Sequence, residues 1–118
     1  MDLPGFRRGI ELFNSQEFFD AHEVLEDIWR DSVNSDRKLL QGLIQVAVAF
    51  HHHGKGNIVG ARSLLKRACS NLADGPENFF GIDLPPLQQA LVDWQRALSE
   101  NRAVPAHPKL QLSDPSDR

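Results

Sequence analysis

The stretch Leu39–Phe50, "LLQGLIQVAVAF", decides the fold. Its apolar residues (Leu39, Leu40, Leu43, Ile44, Val46, Ala47, Val48 and Phe50) wrap nearly all the way round a helix. A surface helix carries a single apolar stripe, so this one has to be enclosed by other helices. It contains Gln45 and falls far short of the roughly 20 apolar residues that a membrane span requires. The rest of the chain must therefore supply its neighbours.

Working outward, the breakers fall between helically periodic segments. Pro4 suits a first helical turn, and Phe6, Ile10 and Phe13 follow at helical spacing. "NSQ" at 14–16 reads as a turn, with Asn14 or Ser15 as cap of a second helix ending near Arg30. Ser35 is the expected cap of the third helix, about 36–53, which Gly54 and Gly56 stop. Asn57 caps a fourth helix to about Ala73, striped by Ile58, Ala61, Leu65, Ala68 and Leu72. "DGPENFFGIDLPP", 74–86, is the one long connection. A fifth helix then runs from Pro85 or Pro86 to about Glu100, striped by Leu87, Ala90, Leu91, Trp94, Ala97 and Leu98.

No segment alternates with period two, so no strands are expected. The predicted fold class is all-α: a single compact bundle of about five helices, arranged as antiparallel helical hairpins over residues 1–100. The segment 101–118, with Pro105 and Pro108 and little apolar content, reads as an extended or partly disordered tail. A faint echo pairs Ala21 and Leu25 with Ala61 and Leu65, which suggests two stacked hairpins of tetratricopeptide-like pattern.

Composition narrows the function classes. The 118 residues are 41% hydrophobic and 25% charged, an ordinary globular balance for one domain. A net charge of −3 argues against nucleic acid as the partner. The local strip Arg62, Lys66 and Arg67 reads as the solvated face of one helix. The lone Cys69 allows no internal disulfide and no zinc knuckle, and it sits on an apolar face, as inert thiols do. The N-terminal "MDLPGFRRGIELF" lacks the apolar run of a secretory signal, so a cytoplasmic protein that does not enter a membrane is expected.

Chemistry concentrates on the second helix. At about 100° per residue, Phe18, Leu25 and Trp29 define an apolar direction. His22 falls close to that direction, with Glu26 one turn along and Trp29 as an expected buried anchor. Glu23 lies past the edge, near Arg30. On the third helix Gln41, Gln45 and His52 follow one line. If the two helices are antiparallel, Gln45 stands level with His22 and Gln41 with Glu26. Four polar side chains would then share one semi-buried layer. Such a layer costs roughly 1–3 kcal/mol per unpaired group unless its members satisfy one another, water or a ligand.

Two readings remain open. In one, the layer is a hydrogen-bonded network that fixes helix register. In the other, His22 and Glu26 use their i, i+4 spacing to share a divalent metal, with His52 adding a nitrogen and Gln41 and Gln45 binding the ligand. His51, His52 and His53 point in three directions, which limits how many face one site.

"FFDAHEVLEDIWR" followed by "LLQGLIQVAVAFHHHGKGNIVGARSLLKRA" resembles the bacterial and archaeal family called domain of unknown function 309, over about Gly9 to Leu72. The resemblance implies a compact bundle of about five helices. Its His-Glu-x-x-Glu segment corresponds to His22, Glu23 and Glu26, with Trp29 following. Its Gln-Gly segment corresponds to Gln41 and Gly42, and its Asn-x-x-Gly-Ala element to Asn57, Gly60 and Ala61. The family's label as a predicted metal-dependent hydrolase implies a His/Glu site. Glu23 or Glu26 would then be the base that deprotonates a metal-bound water. The rival expectation is a non-catalytic helical-hairpin module that binds a protein partner or a second copy through exposed apolar surface, its polar layer being structural.

Overall fold

The computed structural model describes residues 1–112. Five helices follow one another: α1 (Leu3–Asn14), α2 (Phe18–Arg30), α3 (Asn34–Gly54), α4 (Ile58–Leu72) and α5 (Leu84–Ser99). As the apolar wrap requires, α3 is central and packs against both α2 and α4. It buries Leu39, Leu40, Leu43, Val46, Ala47, Ala49 and Phe50. α1 lies on α2, and α5 on α4. Ala21, Leu25, Ala61 and Leu65, the residues of the internal echo, are all enclosed.

Two glycines let the helices approach closely. A Cβ on Gly42 would stand 2.7 Å from Leu72 Cγ across the α3–α4 contact. One on Gly9 would stand 2.8 Å from Leu25 Cδ2 across the α1–α2 contact. A side chain at either position has to push the paired helices apart.

The caps divide into one expectation met and two replaced. Asn57 caps α4 by accepting from the Gly60 amide at 3.0 Å, and Gly60 leaves the room its carboxamide needs. α3 starts earlier than Ser35 would place it: Val33 is its N-cap, and Asn34 takes φ 56°. Neither Asn14 nor Ser15 caps α2. Its N-cap is Glu17, while Ser15 closes α1 and Asn14 reaches the far end of the chain.

The connection before α5 contains a minimal antiparallel hairpin, β1 (Asn78–Phe79) with β2 (Ile82–Asp83). Its two turn residues, Phe80 at φ 47° and Gly81 at φ 95°, both occupy the left-handed region that a two-residue hairpin turn demands. Two-residue strands are too short to show alternation in sequence, so this correction to the strand-free expectation had no periodic signal behind it.

A cluster of rings closes one end of the bundle. Phe13, Phe18 and Phe50 meet at centroid distances of 5.2, 5.3 and 6.1 Å, and Trp94 lies 4.7 Å from Phe50. Residues 103–111 carry no regular structure and run along this end, where Leu110 is buried. Residues 113–118 of the expected tail lie outside the described residues. Among the described residues, no helix is long and apolar enough to cross a membrane.

Candidate functional site

α2 begins at the ring cluster, and its register fixes which side chains reach the surface. Phe18, Ala21, Leu25 and Ile28 point inward. His22 and Glu26 sit one step round from that stripe, with side-chain exposures of 19% and 40%. His22 Nδ1 lies 2.5 Å from the carbonyl oxygen of Phe19. A carbonyl only accepts, so this nitrogen carries the proton and donates. The other ring nitrogen, Nε2, then faces Glu26 Oε2 at 3.7 Å. That pair attracts when Nε2 is protonated too, or when a cation lies between the two atoms.

The contact chain continues outward along α2. Arg30 donates to Glu26 Oε1 at 3.4 Å and to Asp27 Oδ1 at 2.6 Å. Glu23 is exposed, and Arg30 pairs with Glu26 and Asp27 rather than with Glu23. The result is an ordered polar strip on the helix surface.

The α2–α3 register is the one the short turn predicts. Phe18 meets Phe50, Phe19 meets His51 at 5.3 Å, and the Arg37 guanidinium lies 3.9 Å over the Trp29 ring. The expected four-residue layer nevertheless does not assemble. Gln45 turns to the other neighbour of α3 and accepts from Asn71 Nδ2 of α4 at 2.8 Å. Gln41 is exposed. Its neighbour Gly42 is the packing residue of the Gln-Gly segment. Among the described residues, no polar or charged side chain is fully buried.

The three histidines of α3 diverge. His51 faces Phe19, His52 Nδ1 lies 3.4 Å from Asn57 Nδ2 at the α4 cap, and His53 meets Trp94 edge-on at 5.1 Å. Of the residues expected to hold a metal, the structure pairs His22 with Glu26 and seats His52 at the α4 cap. Among the described residues, no three His, Cys, Asp or Glu side chains are grouped to hold an ion. Cys69 is half-buried, with Gln95 Nε2 donating to its sulfur at 2.8 Å. Burial pushes its thiol pKa up, and the Gln95 hydrogen bond opposes this in part.

Sequence reasoning missed Phe19. The residue is 50% exposed, and its ring lies edge-on to His22 at 4.9 Å and 5.3 Å from His51. The signal was present: one residue on from Phe18, it lies about 100° off the buried stripe. Trp29 is partly buried rather than enclosed, and its indole N–H has no partner although that atom is shielded from solvent.

Fold and site together define a compact all-α protein with a short His/Glu strip on one surface helix. Residues 6–64, half of the chain, match the family model described as domain of unknown function (DUF309), and the chain belongs to that family. It is similar to an uncharacterized protein of Aquifex aeolicus (strain VF5), 35% identical over 97 residues, covering 75% of this chain and 29% of the relative. It is also similar to the uncharacterized protein YpuF of Bacillus subtilis (strain 168), 37% identical over 57 residues, covering 48% of this chain and 33% of the relative. The chain thus spans about a third of the length of these curated relatives.

Two of the three family motifs have structural duties here. Asn57, Gly60 and Ala61 form the α4 cap and a buried contact, and Gly42 permits the α3–α4 approach. The polar residues of the His-Glu-x-x-Glu segment, His22, Glu23 and Glu26, make no packing contact of that kind and lie partly or fully at the surface.

Proposed function

We propose that the chain is a non-catalytic helical docking module whose contact surface is the outer face of α2, centred on Phe19. The observation that carries this reading is Phe19 itself, half exposed yet in ring contact with two imidazoles. A large rigid ring on a helix surface, flanked by ordered polar groups, has the composition of an interface anchor with a polar rim. The relatives, roughly three times longer than the segments matched, support a module that works beside other protein segments. The partner is a protein segment that offers an apolar side chain to Phe19 and polar groups to His22, Glu26 and Arg30.

Selection from a random-peptide display library tests this. Enriched peptides should lose at least about tenfold in affinity on Phe19→Ala, as a central anchor does, while keeping it on Val59→Ala, an exposed residue of α4. Failure to enrich any binder, or binders indifferent to Phe19, would overturn the reading.

A second reading rests on the His22 ring orientation. With Nδ1 committed to a backbone carbonyl, Nε2 and the Glu26 carboxylate form a two-point cation clamp, the start of a metal-dependent hydrolase site with Glu23 as base. Two ligands leave most of a cation's coordination to solvent or to a partner. Calorimetric titration with Zn²⁺ or Mn²⁺ separates the readings. Stoichiometric binding lost in both His22→Ala and Glu26→Ala supports the clamp, and no binding sinks it.

A further inference from the structure

Residues 104–112 lie against the bundle, and side chains of the bundle hold their backbone at two points. Asn14 holds the backbone of Leu110 with both halves of its carboxamide: Nδ2 donates to the Leu110 carbonyl at 2.8 Å, and the Leu110 amide donates to Oδ1 at 2.7 Å. Four residues earlier, the Trp94 indole donates to the Ala106 carbonyl at 3.2 Å. Leu110 is 2% exposed, and Leu112 bridges the hairpin at Ile82. Between the two fixed points sits His107. Its ring stacks on Trp94 at 5.1 Å and 25°, and its centroid lies 5.0 Å from Phe18 and 4.9 Å from Phe50.

The elements packed against His107 offer almost nothing to a positive charge. α2 presents Phe18, α5 presents Trp94, and α1 contributes the neutral Asn14 to the neighbouring backbone. α3 presents Phe50 and one titratable group, His53, whose charge would repel. On its own segment, Lys109 is exposed and of the same sign. Among the described residues, none of the ion pairs involves His107.

We propose that residues 104–112 form an acid-released latch, with His107 as the plug whose protonation frees the segment and uncovers the wall of Phe18, Phe50 and Trp94. A neutral imidazole packs among rings at little cost, whereas an imidazolium at this partly buried position gives up part of its hydration without a carboxylate to replace it. Stacking on the Trp94 face returns only part of that loss. Burial first, and His53 second, hold the His107 pKa below its ordinary value of 6.5. The sign follows from linkage. The released segment takes up a proton more readily than the docked one. Docking therefore has its full strength above about pH 6.5 and weakens as pH falls below it toward the lowered docked value.

Amide hydrogen exchange of the full chain, followed from about pH 7.5 to 5 and corrected for intrinsic rates, tests the latch. Leu110, whose amide is held by Asn14, should lose protection as the pH falls, while Leu43 in the middle of α3 keeps its own. In His107→Phe, which retains a ring but cannot take a charge, Leu110 should stay protected throughout. In His53→Asn the loss should persist but weaken. Protection of Leu110 that does not change with pH, or that falls in step with Leu43, overturns the proposal. So does a loss that survives in His107→Phe.

Discussion

One substitution made twice in the same helix should give opposite signs. In Gly42→Ala the new methyl would stand 2.7 Å from Leu72 Cγ, 2.9 Å from Leu72 Cδ2 and 3.3 Å from Asn71 Cβ. Leu72 is 0% exposed and belongs to the buried core cluster. Overpacking of this kind costs about 1–3 kcal/mol. Replacing glycine inside a helix returns about 1 kcal/mol of backbone propensity. The net expectation is a loss of up to about 2 kcal/mol, set by how far α3 and α4 must separate. Gly54 ends the same helix, and nothing lies within 4 Å of a Cβ built there. Gly54→Ala should therefore be neutral or gain up to about 1 kcal/mol, the propensity gain without the clash. Urea denaturation followed by far-ultraviolet circular dichroism measures both, with the denaturant slope checking that each variant unfolds in one step. A Gly42→Ala protein stabilised by the full propensity gain of about 1 kcal/mol would refute the close α3–α4 approach. So would a loss at Gly54 equal to that at Gly42.

Two further outcomes follow from burial. Trp29→Ala should cost about 1–3 kcal/mol, less than the 3–5 kcal/mol of an enclosed tryptophan, because the ring is only partly buried and its N–H bonds to nothing. A guanidinium midpoint shift equivalent to more than about 4 kcal/mol would show the ring to be enclosed. Cys69 should react with a disulfide reagent more slowly than a free cysteine at neutral pH and speed up only in alkaline solution, since burial raises its thiol pKa. Reaction as fast as that of the unfolded chain would contradict the half-buried thiol.

Leu39–Phe50 carried the fold by itself, because an apolar surface on nearly every side of one helix leaves a chain of this size no alternative to packing other helices around it. Asn57 was equally legible: a cap acts three residues along the chain, and local hydrogen bonds are written in local sequence. The height of each side chain on the α2–α3 pair was readable too, since a short turn sets the register, as Phe18 against Phe50 shows. Facing direction was not. α3 has two neighbours, and only the packing of all the buried stripes together turned Gln45 toward Asn71 of α4 instead of toward His22. The polar layer failed for that reason, and Phe19 with His51 took its place on the surface. The segment from Val104 to Leu112 lay furthest from sequence reading. Its hold on the bundle runs through Asn14, 96 residues earlier than Leu110, and through rings contributed by three helices. No periodicity marks a contact of that kind, because it exists only once α1, α2, α3 and α5 have closed around the place where His107 sits.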